Sequence, residues 1–386
     1  MTEKLFYEDS HMISFSAIVE ACEQVNEHYE AVLTRTAFFP EGGGQYADTG
    51  FIDGVRVLDV QEKNGKIYHT VEQALPVGKE VTGEIDWEER FSKMQNHSGE
   101  HIISGLVHKH FGYNNVGFHM GKDAITMDFN GVITKEQLKE IEKQANAIVY
   151  QNLPIETLYP TKGELEELVY RSKIEIEGQV RIVRIPDCDV CACCAPHCKT
   201  TGEIGTIKLV GMQNYKGGVR ISMLAGFRAL EDYEVKSENV KRISNMFSVK
   251  EFEVADEVEK LKEELLARKN QIQELKRTLL EWKVQTMEDN QEVIVMFEAD
   301  LDGNGPRELV NLLLAKGTKL AAVFAGAEGS YRYVIGSKSV DTRVLAKSLN
   351  EKFQGRGGGK PDMVQGSVNG EENCVREEVL ECIKRI

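Results

Sequence analysis

The chain has 386 residues, 41% hydrophobic and 28% charged, and its 47 Lys and Arg against 62 Asp and Glu leave a net charge of −15. The length exceeds one typical domain and predicts two or three. The acidic balance excludes a general nucleic-acid coat protein, whose nonspecific binding depends on neutralising phosphates, and leaves a local basic patch open. No run of eighteen apolar residues appears, and the N-terminus M-T-E-K-L-F-Y-E-D lacks a basic-then-apolar leader, so the expectation is a cytoplasmic protein with no membrane partner.

Residues 1–90 read as short strands: Val32–Thr34, Phe51–Ile52, Val55–Val60, Lys66–His69 and Val81–Ile85 are β-branched or alternating. Asn64-Gly65 is a hairpin signal. A small β-barrel or sandwich is expected. Within it, Thr36–Gly50 carries Gly42, Gly43 and Gly44 between Phe39, Glu41 and Gln45. Three glycines suit either a tight barrel corner or a loop whose backbone faces a ligand.

A charged segment, Trp87–Met94, leads to Q-N-H-S-G-E-H-I-I-S-G-L-V-H at Gln95–His108. Apolar positions at helical spacing place His97 and His101, four apart, on one face. Such a pair can grip a metal ion, or be two ordinary surface or capping histidines. Further on, Gly117–Met120 pairs with Ala124–Phe129, and Thr134–Asn152 is an amphipathic helix with a Thr134/Gln137 capping box. Pro154–Leu158 is a strand, Lys162–Arg171 a helix and Val180–Ile185 a strand, giving an α+β domain.

Five of the eight cysteines (Cys188, Cys191, Cys193, Cys194, Cys198) crowd together with His197. Crowding of this kind points to metal binding or reactive thiols before disulfides. Cys193 and His197 form a second pair four apart, so three imidazoles and one thiolate are candidate zinc ligands. Cys191, Cys194 and Cys198 rival Cys193 for the thiolate position. Histidine-dominated ligation tilts a zinc site toward catalysis.

Thr201–Val210 and a strand at Val219–Met223 follow. From Val254 to Trp282 apolar residues hold a heptad seam interrupted at Arg268, predicting a long helix and a coiled-coil arm or helical hairpin. Its seam packs within the chain or makes a homodimer contact, for which the C-terminal domain is the other candidate surface. After Asn290 a β-α-β-β-α order suggests a small α/β sheet, ending in a second glycine cluster, Gln354–Ser367. Lys338, Arg343, Lys347, Lys352, Arg356 and Lys360 form the one basic excess that could sit on phosphates.

Four motifs together resemble the alanyl-tRNA editing proteins, freestanding relatives of the alanyl-tRNA synthetase editing domain: H-x-x-x-H at His97/His101, C-x-x-x-H at Cys193/His197, F-F-P-E-G-G-G-Q at Phe38–Gln45 and T-G-E-I-G at Thr201–Gly205. G-G-G-K-P-D-M-V-Q-G at Gly357–Gly366 resembles the DHH-associated domain that ends alanyl-tRNA synthetases, so the resemblance covers nearly the whole chain in the order of the long form. It implies an α+β multidomain protein. The expected parts are a β-barrel with the glycine loop (1–90), a zinc-containing editing domain (91–245), a helical coiled-coil arm (246–290) and an α/β tRNA-binding domain (291–386).

The implied activity is zinc-dependent trans-editing: hydrolysis of serine or glycine wrongly esterified to tRNA(Ala). There is no room for a synthetase's catalytic region, so aminoacylation is not expected. Matched residue by residue, His97, His101, Cys193 and His197 hold one Zn2+ per chain. Thr36, Phe39, Glu41, Gly42–Gly44 and Gln45 lie beside the aminoacyl group, with Thr36 and Gln45 as catalytic candidates. Arg356, Gly357, Gly358, Gly359 and Lys360 contact tRNA. The chain departs from the family at Cys193–His197, C-C-A-P-H where C-G-G-T-H is usual, and at Phe39, where Tyr is usual. The alternative is a tRNA-binding protein with a structural zinc.

Overall fold

The computed structural model describes residues 1–121, 123–172, 179–289, 291–301 and 303–385. The chain divides into two compact units, Met1–Arg242 and Ile243–Ile386. The expected domain boundary at Asn290 falls outside the described residues. No helix among them is long and apolar enough to cross a membrane.

In the first unit six antiparallel strands close into a barrel in the order Ser14–Val25, His28–Leu33, Lys66–Val71, Val55–Lys63, Gly50–Ile52, Glu80–Ile85. Alternation sets the inside. Val81, Gly83 and Ile85 are buried between exposed Glu80, Thr82 and Glu84, and Phe15, Leu33, Phe38, Ile52, Ile67 and Val71 fill the core with them. Gly83 is obligatory, because a Cβ there would lie 2.4 Å from the Phe15 ring. Asn64 and Gly65 both take positive φ, 53° and 75°, as a two-residue hairpin requires. The twelve-residue strand Ser14–Val25 was not expected from sequence. Its inward positions include Ala17, and its outer half carries glutamates, which blunts the hydrophobic signal.

Trp87–Met94 is not a separate lead-in. The helix begins at Trp87 and runs 25 residues to Phe111, ending on Gly112 in the left-handed conformation. It packs against a four-stranded antiparallel sheet, ordered Ile207–Tyr215, Gly218–Ala225, Ile125–Phe129, Asn115–Met120, and against the helix Lys135–Gln151. The predicted Thr134/Gln137 capping box is present. The helix expected over Lys162–Arg171 stops at Glu167. A small antiparallel sheet, Glu156–Leu158, Ile182–Ile185, Asp189–Ala192, carries the cysteine segment.

The helix is pinned to the barrel by a buried ion pair. Arg90 Nε donates to Asp48 Oδ2 (2.8 Å), Nη2 to the same oxygen and to Ala37 O (2.6 Å), and Lys93 Nζ to Ala47 O (2.6 Å). Removing one member of such a pair costs about 3–5 kcal/mol, since the other charge stays buried. This clamp fixes both ends of the segment that carries the glycine loop.

In the second unit the helix Val254–Gln285 is 32 residues long. Leu280 and Val284 near its end pack on the helix Gly305–Lys316. The preceding helix, Phe227–Phe247, straddles the boundary between units and was not read from sequence. The C-terminal sheet runs Val293–Glu298, Leu320–Ala327, Ser330–Ser337, Met363–Asn369, Arg356–Lys360, parallel in the first pair and antiparallel after it. Helices Arg343–Lys352 and Glu372–Lys384 cover the other core. The glycine cluster is thus a hairpin with an edge strand, although glycine is depleted in strands. Gly357 stands opposite Gly366, and a Cβ at Gly357 would lie 2.5 Å from Gly366 Cα.

Candidate metal centre

His97 and His101 project from one face of the helix Trp87–Phe111 into the interior of the first unit. Gly105, one turn on, lets this helix touch the turn before Asp189: a Cβ there would lie 2.4 Å from Cys188 O. That approach brings the strand Asp189–Ala192, and the Cys193–His197 turn after it, over the two imidazoles. One ligand atom each from His97, His101, Cys193 and His197 lies within 4.8 Å of all the others. Cys193 Sγ is 3.6 Å from His97 Nε2 and 3.3 Å from His197 Nε2. A tetrahedral ion with bonds of about 2.0–2.3 Å has ligand-to-ligand edges of roughly 3.5 Å, so these four residues fit a metal ion.

Each imidazole is oriented from behind. His97 Nδ1–H donates to Gln45 Oε1 (2.9 Å) and His101 Nδ1–H to Asp189 Oδ2 (2.8 Å), and His197 Nδ1 is hydrogen-bonded to Ser98 Oγ (3.0 Å). With Nδ1 engaged on each ring, Nε2 is the nitrogen turned to the centre, where a bound cation would take the place of any proton. Asp189 is held in turn by Arg171, whose Nε and Nη2 reach its two oxygens at 2.8 Å each. Ser98, Asp189 and Arg171 were missed from sequence. Ser98 follows a ligand directly, and Asp189 lies four residues before Cys193; no spacing rule singles out either.

Of the rival cysteines, Cys193 is the one grouped with all three imidazoles among the described residues. A second group, His101, Asp189 and Cys191, also lies close together, but Asp189 is already committed to Arg171 and His101. Burial pushes the thiols of Cys188 and Cys198 up to about 12 and that of Cys191 up as well, while Cys194 is exposed. Burial acts on Cys193 too, but the imidazoles of His97 and His197 hold it well below the usual thiol range. Burial opposes a charge on His101, yet the Asp189 carboxylate and Cys193 raise it to about 10, while burial pushes His197 down to about 3.

The turn also explains how C-C-A-P-H can stand where glycines are usual. None of Cys193–Cys198 has positive φ, so Cys194, Ala195 and Pro196 sit without strain.

The glycine loop lies at this centre. Gly42 and Gln45 exchange two backbone hydrogen bonds of 3.0 Å, and Gly43 and Gly44 take φ of 61° and 82°. A Cβ on Gly43 would lie 3.3 Å from Cys194 Sγ, and one on Gly44 2.7 Å from Phe118. Phe118, another residue missed from sequence, stacks on His97 with ring centroids 4.9 Å apart. Gln45 is buried, and its Nε2 has no partner among the described residues. Glu41 is exposed and accepts from Gln61 Nε2 (3.2 Å).

Thr36 and Phe39 face the barrel core. Thr36 O–H donates to His69 Nε2 (2.9 Å), and its oxygen accepts from Phe38 N (3.1 Å); Phe39 N donates to Asp48 Oδ2 (2.7 Å). A cavity of about 710 Å³ lies elsewhere in the first unit, lined by Gln95, Leu209, Phe227 and Tyr233 but by none of the four candidate ligands. The convergent chemistry marks the centre better than cavity size does.

Arg356–Lys360, in the second unit, is an exposed edge strand. Four of the six basic residues are committed: Lys338 to Leu314 O, Arg343 to Asp341, Lys347 to Glu351 and Lys352 to Glu378. Arg356 and Lys360 have no such partner among the described residues. Arg343, Lys347, Asn350 and Gly357–Gly359 line a shallow cavity of about 500 Å³.

Three family models match in succession: tRNA synthetases class II (A) over residues 2–89, the threonyl and alanyl tRNA synthetase second additional domain over 180–222, and the DHHA1 domain over 290–385. Alanine–tRNA ligases of Halorubrum lacusprofundi and Methanopyrus kandleri are 32% and 30% identical over 95% and 99% of this chain. The chain spans only 42% and 44% of their lengths. The alanyl-tRNA editing protein AlaX-L of Pyrococcus horikoshii is 27% identical over all of this chain and 99% of its own. A solved C-Ala domain of Aquifex aeolicus alanyl-tRNA synthetase is 21% identical, covering 26% of this chain and 96% of its own with a TM-score of 0.21. Matched end to end, the chain is similar to the alanyl-tRNA editing protein AlaX-L, and its own three family models stand in the order class II (A), second additional domain, DHHA1.

Proposed function

We propose that the protein is a cytoplasmic trans-editing hydrolase. It would cleave the ester of serine or glycine wrongly attached to tRNA(Ala), at a centre of His97, His101, Cys193 and His197 holding one zinc ion. The observation that carries this reading is the orientation of the three imidazoles, each Nδ1 engaged and each Nε2 turned toward Cys193 Sγ.

Bound zinc supplies Lewis acidity beside the ester carbonyl. The protein's own groups do the rest. Gln45 orients His97 through Oε1 and offers Nε2, a buried donor without partner among the described residues, to the carbonyl oxygen as charge develops there. The Gly42–Gly44 backbone, between Cys194 and Phe118, bounds the space for the acyl group. The Thr36 hydroxyl proton is committed to His69, so toward a serine side chain Thr36 acts only as an acceptor. Editing is needed because a pocket for alanine cannot exclude glycine and rejects an added hydroxyl poorly, by about 10–200-fold.

The exposed strand Arg356–Lys360, with Gly357, Gly358 and Gly359 between its two cations, is assigned to the tRNA backbone. The seam of the long helix is 44–70% exposed at Val258, Leu261, Leu265, Ile272, Leu275, Leu279 and Trp282. This supports a homodimer contact along it, and Leu265→Glu with Leu275→Glu should yield monomers in sedimentation.

The deciding assay is deacylation of Ser-tRNA(Ala) and Gly-tRNA(Ala) by zinc-loaded protein, with Ala-tRNA(Ala) spared. Inertness toward all three sinks the proposal. Burial of the three imidazoles, with Cys193 half-buried beside them, keeps one rival reading in play, a tRNA-binding protein with a structural zinc. His101→Ala separates the two: an enzyme loses turnover and stays folded, a structural site unfolds.

A further inference from the structure

Arg181 lies in the interior of the first unit, 8% exposed, just before the strand Ile182–Ile185. Among the described residues no carboxylate pairs with it. Nη1 donates to Cys193 O (2.8 Å) and to Ala195 O (2.9 Å), Nη2 donates to Thr157 Oγ1 (3.3 Å), and the guanidinium lies over the Tyr7 ring at 5.2 Å. Its buried Nε has no partner among the described residues. Burying a cation without a counter-charge is costly, and swapping it for an apolar residue would relieve that cost at once. Its hydrogen bonds indicate what it provides in exchange.

They converge on one ligand. Cys193 N donates to Arg181 O at 3.1 Å, while Cys193 O accepts from the Arg181 side chain. Both backbone groups of the thiolate residue are therefore tied to the same arginine. The same Nη1 also takes the carbonyl of Ala195, so it brackets Cys194, while Nη2 on Thr157 holds the guanidinium plane in place beneath the turn that leads to His197. The turn has neither glycines nor positive φ to shape it, and Pro196 removes one N–H. Shape imposed from outside takes the place of shape built into the sequence.

We propose that Arg181 is a positioning residue of the metal centre: by holding the backbone of Cys193 and Ala195 it sets the direction in which Cys193 Sγ meets His197 Nε2. This rests on the metal reading of the cluster. Thr157, which accepts from Nη2, supports the guanidinium from the neighbouring strand.

The test uses the full chain loaded with cobalt(II), whose thiolate-to-metal absorption reports the Cys193 bond. Arg181→Met should keep the native circular dichroism spectrum, lose metal affinity roughly 10- to 100-fold, and weaken or shift the thiolate band. Arg181→Lys, whose single ammonium can reach the two carbonyls but lacks the second arm held by Thr157, should fall between wild type and Arg181→Met. Should Arg181→Met not fold, Arg181→Lys and Thr157→Val carry the test, with a smaller loss of affinity and a shifted band expected in each. Wild-type affinity and an unchanged band in the folded variants overturn the proposal. Failure of the wild-type protein to bind cobalt through a thiolate overturns the metal reading itself.

Discussion

His101 Nδ1 lies 2.8 Å from Asp189 Oδ2 although 88 residues separate them, and both side chains are buried. The carboxylate can only accept, so it fixes the proton on Nδ1 and leaves Nε2 for the centre. Arg171 closes the chain of contacts from the far side of Asp189. Asp189→Ala should lower metal affinity by roughly 10- to 100-fold, measured by competition with a chelator. Affinity equal to wild type shows that His101 is oriented by something else.

Gln45 combines two roles that one substitution can separate. Gln45→Glu keeps an oxygen for His97 Nδ1–H and removes the Nε2 donor. Metal content should be retained while the turnover number for deacylation falls on the order of 10²-fold. Equal loss of metal and of turnover would assign Gln45 to ligand support alone.

His69 provides a pH signature for the barrel. Buried, with Nδ1–H on Ala31 O and Nε2 accepting from Thr36, it has its pKa pushed from 6.5 down to about 4 by desolvation. Above about 6.5 the neutral form is common to both states and its stabilisation is complete. As pH falls toward about 4 the unfolded chain takes up a proton that the folded barrel refuses. That costs about 3 kcal/mol across this window. Urea unfolding should weaken between pH 6.5 and 4, and His69→Asn should remove the window. A variant with the same slope as wild type places the acid sensitivity elsewhere.

Arg356 and Lys360 are the two cations of the basic cluster that the fold leaves uncommitted. Arg356→Ala with Lys360→Ala should weaken tRNA binding and flatten the plot of log affinity against log salt by roughly 1–2. Changing Lys352, held by Glu378, should leave that slope alone. An unchanged slope in the double variant removes this strand from the tRNA interface.

Periodicity and turn chemistry carried much of the local structure. The hairpin at Asn64-Gly65, the box at Thr134/Gln137 and the long helix at Val254–Gln285 are short-range features, written in spacings that a single chain displays. Ser14–Val25 escaped because exposed Ile18 falls between buried Ala17 and Val19, which blurs the alternation, and its second half carries no buried residue. Gly357–Gly359 escaped as a strand because Gly357 and Gly359 answer to close approach of the neighbouring strand, which no local pattern reveals.

The same division runs through the centre. The two i, i+4 pairs by themselves determined which helix face and which turn carry the candidate ligands, since that spacing is a local property of the backbone. Only the tertiary structure decided the rest. It chose Cys193 over Cys191, Cys194 and Cys198, placed Gln45, Ser98 and Asp189 behind the imidazoles, turned Thr36 toward His69, and set Arg181 across the Cys193 turn. Those choices depend on burial and on contacts between residues tens to a hundred positions apart, which arise only once the barrel, the histidine helix and the cysteine strand have packed together.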